Sequence, residues 1–514
     1  MAYTESTTVG ELHSLVAKVI EENDIFILGK KRVAKAFLQS LLDLAPETGY
    51  GEVEAAYRQS ASSPDIPDDA EDFWAFIEKN YLYLEMEPKD VFFEVSLQVI
   101  DDLGKIDKNL RFITSERTTL EEKKRSNGRL DANERYYRNQ LDYFEDKNLT
   151  ARSEIVEFMT KGIKPHALNR SATRAPFDFA PAFFFKDCPY SFGRKFIWSS
   201  RDPYDVKSLD EYSHKFNDLP VSDHRELVEA CRASPERFKE VAHWYIAGDG
   251  SLLPSIREKL EGLTRKSHII ARRKKVIETM LRHFDDKDYI SFVSIAPLQV
   301  EGIFADICRE VGVSENQLDI SSLNDKLQHI DGRLNSFFYF EYYSFKFPVL
   351  RNSVAHGGLV DGDLEETALH LMLDLWPVCE LAVSKEIPIN HALSVLDAAS
   401  KRDYKKLVEW IELRGRFVIP EFYDVSSRIA ATEALCKSTE FWDYLVEELR
   451  KLRCVEEVRK SMPVKIAGII KSQGIAKDEA DKFLRSSSEI VRDATKKRNE
   501  GLELIRSKLG MLKR

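Results

Sequence analysis

Apolar residues recur at helical spacing along most of this chain. Between Pro297 and Gly312 they follow a period close to that of an α-helix, which the proline would open and the glycine would end, at these positions: Val300, Ile303, Phe304, Ile307 and Val311. Similar stripes predict helices over residues 11–22, 30–44 and 72–103, and again from 401 onward. The exception in the last region is residues 414–420, for which we predict a short strand or an extended break. The pattern therefore predicts a mostly α, multi-domain protein.

A second helical segment of the same region, residues 333–347, is unusually aromatic. Its aromatic residues are Phe337, Phe338, Tyr339, Phe340, Tyr342, Tyr343, Phe345 and Phe347. This is more aromatic surface than one helix face hides inside a small bundle. We expect part of it to pack against another subunit or domain.

Another aromatic stretch, residues 175–198, is interrupted by prolines and a glycine, which exclude a regular helix. Its rings lie beside Lys186, Arg194 and Lys195, a combination that can stack the bases of a single strand. An irregular loop or short strand that plugs a helical core is the commoner outcome, and we favour it. The predicted fold therefore includes a minor irregular or β insertion.

Four or five helices are predicted within residues 266–385. A helix over 272–284 comes first, Pro348 fits the first turn of a short helix that Gly357 and Gly358 end, and Asp363 with Glu366 forms a capping box for the next one. We predict a helical bundle here, preceded by an N-terminal helical domain (1–165) and an irregular, aromatic-rich connector (166–265). A C-terminal helical domain (386–514) follows it.

Length and composition fit a large globular protein with several cores. The 514 residues are 43% hydrophobic and 32% charged, without a disordered or fibrous bias. The N-terminal residues lack the pattern of a signal peptide, and no apolar run reaches the length of a membrane helix, so we expect a cytoplasmic protein without a membrane partner. The cysteines form no C-x-x-C pair and are expected to be reduced, buried thiols: Cys188, Cys231, Cys308, Cys379, Cys436 and Cys454.

The strongest chemical signal follows the aromatic segment, in the sequence RNSVAHGG from Arg351 to Gly358. Arg351 offers a charged, forked donor for phosphate oxygens, and His356 can give or take a proton near neutral pH. On an ideal helix Asn352 and His356 share a face, so Asn352 can orient the imidazole, whereas Arg351 and His356 lie about 140° apart. A complete site therefore needs the helix end to unwind, or a second copy of the motif opposite. Near a helix C-terminus His356 favours the imidazolium form, a good general acid.

The residues RNSVAHG resemble the R-N-x-x-x-H-G form of the R-x(4–6)-H motif of the HEPN superfamily, small helical bundles that are often metal-independent ribonucleases. The resemblance covers roughly residues 270–385. It implies a homodimer whose two motifs line one cleft, with Arg351, Asn352 and His356 as catalytic residues and no cofactor or metal. RNA would be cleaved by attack of a ribose 2′-hydroxyl on the adjacent phosphate. Similarity to HEPN toxins and phage-defence effectors implies a regulatory protein or antitoxin as a further partner.

Charge restricts where RNA would bind. The formal net charge of −10 argues against general coating of a polyanion, so any RNA site must be local. The best candidate is a basic segment before the predicted bundle, although a solvated helix face explains it equally well: Arg265, Lys266, Arg272, Arg273, Lys274 and Lys275. Glu301 is a candidate for orienting the motif, and a surface or salt-bridge role is the commoner one for such a residue.

Two functions follow from these observations. The first is a homodimeric endoribonuclease, a toxin or defence effector regulated by its flanking domains. The second is a non-catalytic HEPN-like dimerisation or scaffold protein. In the nuclease, Arg351 and His356 of two chains would converge on a solvent-open basic cleft, whereas in the scaffold they would point apart or be buried.

Overall fold

The computed structural model describes residues 9–60, 66–172, 189–192, 202–209, 211–248, 253–320, 322–355 and 363–512. Within these ranges the chain is mostly helical and contains no strand, and its one isolated β-bridge joins Leu84 to Ala172. The mostly α fold is therefore confirmed. Most of the predicted irregular or β insertion lies outside the described residues. Residues 414–417 form a turn and a bend, and residues 418–420 have no regular secondary structure, so the chain is broken there but does not form a strand.

The chain divides into two compact units, Met1–Asp210 and Glu211–Arg514. The α-helices of the first unit are α1 (Val9–Glu22), α2 (Ile25–Leu28), α3 (Lys30–Leu42), α4 (Tyr50–Ser60), α5 (Ala70–Asn80), α6 (Pro88–Asn127), α7 (Ala132–Glu157) and α8 (Ile163–Ser171). A π-helix, Phe158–Gly162, joins α7 to α8, and a 3₁₀ turn covers Val206–Ser208.

The two long helices α6 and α7 dominate the first unit. Gly128 ends α6 with a φ of 76°, a left-handed conformation that glycine adopts without strain. Asp131 then opens α7 through a capping box with Glu134. The helices bury apolar stripes against each other, with Ile113 on α6 and Phe144 on α7 fully buried in one shared cluster.

The second unit contains the α-helices α9 (Val221–Ala233), α10 (Pro235–Ala247), α11 (Ile256–Thr264), α12 (His268–Arg272), α13 (Lys274–Asp285), α14 (Tyr289–Glu310), α15 (Glu315–Ile320), α16 (Leu323–Asp331), α17 (Phe340–Phe345), α18 (Phe347–Ala355), α19 (Leu364–Leu381), α20 (Pro388–Ser400), α21 (Tyr404–Leu413), α22 (Ser426–Leu435), α23 (Thr439–Arg450), α24 (Met462–Ser472) and α25 (Lys477–Leu512). Short 3₁₀ helices cover Glu421–Tyr423 and Val455–Lys460. Helices α14 and α19 pack along each other at the centre of the region that carries the motif.

Helix α14 begins earlier than its proline indicates. Four residues of its predicted apolar face are buried, namely Val300, Ile303, Phe304 and Ile307, whereas Val311 is partly buried just after the helix ends. The helix starts at Tyr289 and Pro297 lies inside it, so the predicted start was wrong. The side chain of Asp288 accepts a hydrogen bond from the Ser291 N–H and caps the true start. The cap at Asp288 and the long buried face stabilise the helix by more than the hydrogen bond lost at Pro297 destabilises it.

The aromatic segment also differs from its prediction. Residues 333–339 form turns, and α17 and α18 follow as two short helices in place of one helix over 333–347. Most of the rings are buried inside the second unit, with less than 9% of the residue exposed: Phe337, Phe340, Tyr342, Tyr343, Phe345 and Phe347. Phe338 is the exposed ring of the segment, at 55%. The aromatic surplus is therefore largely covered within this chain, and it does not by itself require a second subunit.

One helix in the described part of the chain, α14, is long and apolar enough to cross a membrane. Half of its most apolar window is buried inside the protein, as in the core helix of a bundle. Of the five described cysteines, four are buried and Cys454 is partly exposed, and none is in a disulfide. Cys188 lies outside the described residues.

Candidate functional site

Helix α18 carries the start of the motif. Pro348 occupies its first turn as predicted, where the missing N–H costs no helical hydrogen bond, and the neighbouring Phe347 is fully buried and anchors the helix. The described part of the helix ends at Ala355. His356, Gly357 and Gly358 lie outside the described residues, so the predicted relation of Asn352 to His356 stays a prediction.

The Arg351 guanidinium is held by two acceptors. Its Nη2 donates to Glu301 Oε2 at 2.9 Å, and its Nη1 donates to Asn352 Oδ1 at 3.1 Å. Its Nε is buried and has no hydrogen-bond partner among the described residues. The side chain as a whole is 35% exposed. Arg351 is thus fixed on one side and open to solvent on another, and Asn352 touches Arg351 rather than standing apart from it.

Glu301 brings a second cation to the motif. It projects from α14, where its Oε1 lies 3.6 Å from the ammonium Nζ of Lys326 on α16. The side chain of Glu301 is 21% exposed and that of Lys326 is 12% exposed. Both oxygens of one carboxylate therefore face cations, one from each of two other helices. The sequence alone makes Glu301 a candidate for orienting the motif, but nothing in the local sequence points to Lys326.

The predicted basic segment divides into two parts. Five of its residues are exposed, and they have the solvent access that an RNA contact needs: Arg265, Lys266, Arg272, Lys274 and Lys275. Arg273 instead turns inward, where its Nε and Nη2 donate to Asp306 Oδ2 at 3.1 and 2.6 Å and its Nη1 donates to Gln299. Its guanidinium fills the space over Gly302, so Arg273 ties the start of α13 to α14.

A buried ionic cluster that the sequence did not indicate lies in the same unit. Asp374 of α19 is fully buried and forms a salt bridge with Lys215, which is also fully buried. Asp374 Oδ1 is 2.6 Å from His214 Nε2, and its Oδ2 accepts from the Tyr342 hydroxyl at 2.7 Å. Tyr343 donates to the Asp374 carbonyl oxygen at 2.7 Å. Every strong acceptor at Asp374 is thus matched by a donor.

Burial and charge set the protonation of this cluster. Burial lowers the pKa of His214 to about 4, and the neighbouring Lys215 charge adds to that effect, so the ring is neutral near pH 7. Burial alone would raise the pKa of Asp374, but the charge of Lys215 and the hydrogen bond from His214 outweigh it and hold that pKa below its usual range. Burial also lowers the pKa of Lys215. The charged Lys215–Asp374 pair therefore depends on both partners.

This cluster explains where the aromatic segment packs. The His214 ring stacks on Tyr342 with 3.6 Å between ring centroids, and His214 lies in the short connecting segment before α9. Four residues before Asp374 on α19, the His370 ring stacks on Phe238 of α10 with 4.1 Å between ring centroids. Aromatic and ionic contacts together join the 211–247 segment to α19 and to α17, which directly precedes the helix that carries Arg351.

Three comparisons with known proteins test whether the chain resembles a protein family or a solved structure. Searches against protein-family models, curated proteins and solved structures found no match to the chain. In the described ranges no three histidine, cysteine, aspartate or glutamate side chains come together in a way that would hold a metal ion. The geometry of the candidate site is a fixed, partly exposed Arg351 that is hydrogen-bonded to Glu301 and Asn352, with Lys326 beside Glu301.

Proposed function

We propose that this chain is a metal-independent endoribonuclease that uses Arg351, Asn352 and His356. The observation that carries the proposal is the fixed guanidinium of Arg351, bound to Glu301 and Asn352 in the same motif that resembles R-N-x-x-x-H-G. Among the described residues, Glu301 and Asn352 engage two of the five N–H donors of this guanidinium. The exposed side keeps donors for the oxygens of a phosphodiester.

Preorganisation is the physical reason that such an arginine suits catalysis. Donors that are already aimed at the position where charge develops need no reorganisation during the reaction. A free arginine on a helix surface would lose side-chain entropy each time it bound a phosphate. Arg351 has already lost much of that freedom through its two hydrogen bonds.

The proposed reaction is an internal transesterification. The ribose 2′-hydroxyl gives its proton to water as its oxygen forms a bond to phosphorus, the bond from phosphorus to the 5′-oxygen breaks, and the products are a 2′,3′-cyclic phosphate and a 5′-hydroxyl. His356 would donate the proton to the departing 5′-oxygen as a general acid. Arg351 would stabilise the charge on the non-bridging oxygens.

The resemblance also supplies the assembly and the biological role that we propose. Two chains would form a homodimer whose motifs face one cleft, because Arg351 and His356 of one ideal helix point in different directions. The exposed residues of the basic segment would contact RNA outside the cleft. The N-terminal unit and the C-terminal helices would regulate access, as in a toxin or antiviral defence effector with a regulatory protein or antitoxin.

Cleavage of a fluorescent single-stranded RNA tests the proposal. His356→Ala and Arg351→Ala should each reduce cleavage to background, while His391→Ala and Arg416→Ala, which change the same residue types elsewhere in the second unit, should keep wild-type rates. Asn352→Ala should be milder, because an orienting hydrogen bond contributes about 0.5–1.5 kcal/mol. Cleavage should persist in a chelator and leave a cyclic phosphate that end-specific enzymes detect.

Two results would contradict the proposal. If His356→Ala cleaves RNA as well as the wild type, the motif is not catalytic. The Arg351–Glu301 pair is then a structural contact, and the chain is best described as a non-catalytic HEPN-like interaction protein. Strict dependence of cleavage on a divalent ion would contradict the metal-independent mechanism while leaving an RNA-cleaving activity in place.

A further inference from the structure

Glu301 stands between two cations that reach it from different helices. Arg351 of α18 hydrogen-bonds its Oε2 at 2.9 Å, and Lys326 of α16 lies 3.6 Å from its Oε1. Lys326 is the more deeply placed of the two cations, because its side chain is 12% exposed and that of Arg351 is 35% exposed. Lys326 thus has little surface to offer to RNA, although it contacts the residue that fixes Arg351.

We propose that Lys326 is a positioning residue for Arg351 and acts through Glu301. This inference rests on the proposed nuclease function, since Arg351 is the phosphate-contacting group in that proposal. The ammonium of Lys326 attracts one carboxylate oxygen, and the other oxygen is thereby aimed at the guanidinium. Arg351 then presents its exposed side to the phosphate in one orientation.

The backbone around Lys326 is suited to this role. The Cys308 thiol donates to the Lys326 carbonyl oxygen at 3.3 Å, and Cys308 lies on α14, two turns after Glu301. Leu327, the next residue of α16, is fully buried. Lys326 is therefore fixed by its main chain to the same helix that carries Glu301, and its side chain has a short path to the carboxylate.

Electrostatics gives the reason that two cations hold Glu301 better than one. With Arg351 as its only partner, a carboxylate on a flexible glutamate side chain can rotate about its terminal bonds and keep one hydrogen bond while the guanidinium shifts. A second charge at 3.6 Å in a mostly buried setting is weakly screened and opposes that rotation. A misplacement of about 1 Å in a catalytic group can lower a rate by as much as about a hundredfold.

The test compares Lys326→Met with Lys326→Arg in RNA cleavage. Lys326→Met keeps the length of the stem and removes the charge, and we expect kcat to fall about tenfold or more while KM changes less than about twofold. Lys326→Arg restores the charge and should recover most of kcat. Lys465→Met is the matched control, because it removes the lysine of another Lys–Glu pair, with Glu412, and should leave kcat unchanged.

A double-mutant cycle separates positioning from a general loss of stability. If Lys326 acts through Glu301, Lys326→Met added to Glu301→Gln should cause no further fall in kcat. Independent, multiplicative losses in the double variant would overturn the proposal. A wild-type kcat in Lys326→Met would also overturn it, and either result would leave the Arg351-dependent nuclease function intact.

A spectroscopic readout covers the case in which the wild type does not cleave RNA, an outcome that removes the proposed function itself. Arginine-selective ¹⁵N labelling, with the signal assigned by Arg351→Lys, measures the solvent exchange of the Arg351 Nε–H. In the wild type this nitrogen is buried, and Lys326→Met should speed its exchange severalfold while Lys465→Met does not. Equal exchange in wild type and Lys326→Met would refute the positioning role.

Discussion

Asp374→Asn should strongly destabilise the second unit, because it leaves a buried cation without its counter-ion. The asparagine keeps the size of the aspartate but removes its charge, while Lys215 stays fully buried. Breaking a buried ion pair in this way costs about 3–5 kcal/mol. This destabilisation has an upper limit, because Lys215 can lose its proton and become neutral instead of remaining an unpaired buried charge. Deprotonating an ordinary lysine at pH 7 costs about 4.6 kcal/mol.

That limit makes the destabilisation depend on pH in a definite direction. In Asp374→Asn the folded state would hold Lys215 neutral, while the unfolded state would hold it protonated. The unfolded state then binds more protons, so the free energy of unfolding rises with pH by about 1.4 kcal/mol per unit. Between pH 7 and 9 the variant should therefore recover up to about 2.7 kcal/mol relative to the wild type. Adding Lys215→Met should remove both the pH dependence and most of the destabilisation.

Hydrogen exchange of helices Phe340–Phe345 and Leu364–Leu381 measures this free energy locally. Helices of the first unit report in the same experiment whether the effect is confined to the second. Asp443→Ala is the control, because Asp443 is an exposed aspartate of the same unit and should change stability by less than about 0.5 kcal/mol. A loss below about 1 kcal/mol in Asp374→Asn, or one that does not diminish between pH 7 and 9, would refute the assignment of a charged buried pair.

Three further predictions concern the second unit and its assembly. Gly302→Ala should lower the thermal midpoint of the second unit, because an added Cβ would lie 2.5 Å from Arg273 Nη1 and disturb the partly buried hydrogen bonds of Arg273 to Asp306 and Gln299. Gly262→Ala, with open space around the added Cβ, should be neutral or stabilising by up to about 1 kcal/mol. Burial lowers the pKa of His214 to about 4 and of His370 to about 3, both below the ordinary 6.5, so their contribution to stability is complete above pH 6.5 and is lost as pH falls toward these values. His370→Phe should reduce the slope of unfolding free energy against pH between 4 and 6, and an unchanged slope would contradict this origin. Light scattering at micromolar concentration should give the mass of two chains if the motifs form one composite site, and a monomer would argue against that mechanism.

The sequence by itself determined the helical fold and the motif that contributes Arg351 to the candidate site. The apolar face around Val300 and Ile303, the proline at the start of the motif helix and the break at Gly128 all follow from interactions between near neighbours in the chain. Arg351 was identified because its motif is local. The same reliance on local rules places the helix start wrongly at Pro297, because the cap at Asp288 starts the helix earlier.

Only the tertiary structure decided which charges meet. Glu301 and Arg351 are 50 residues apart, and Lys215 and Asp374 are 159 residues apart, with no periodic pattern to connect them. A lysine in isolation predicts a solvated side chain, because burying a charge is unfavourable until a partner offsets the loss of water. Folding supplies that partner by packing α14, α16 and α18 together, and by placing the 211–219 segment against α17 and α19. Hydrophobic periodicity depends on residues that are close together in the sequence, whereas ion pairing depends on distances that are set only after the helices have packed.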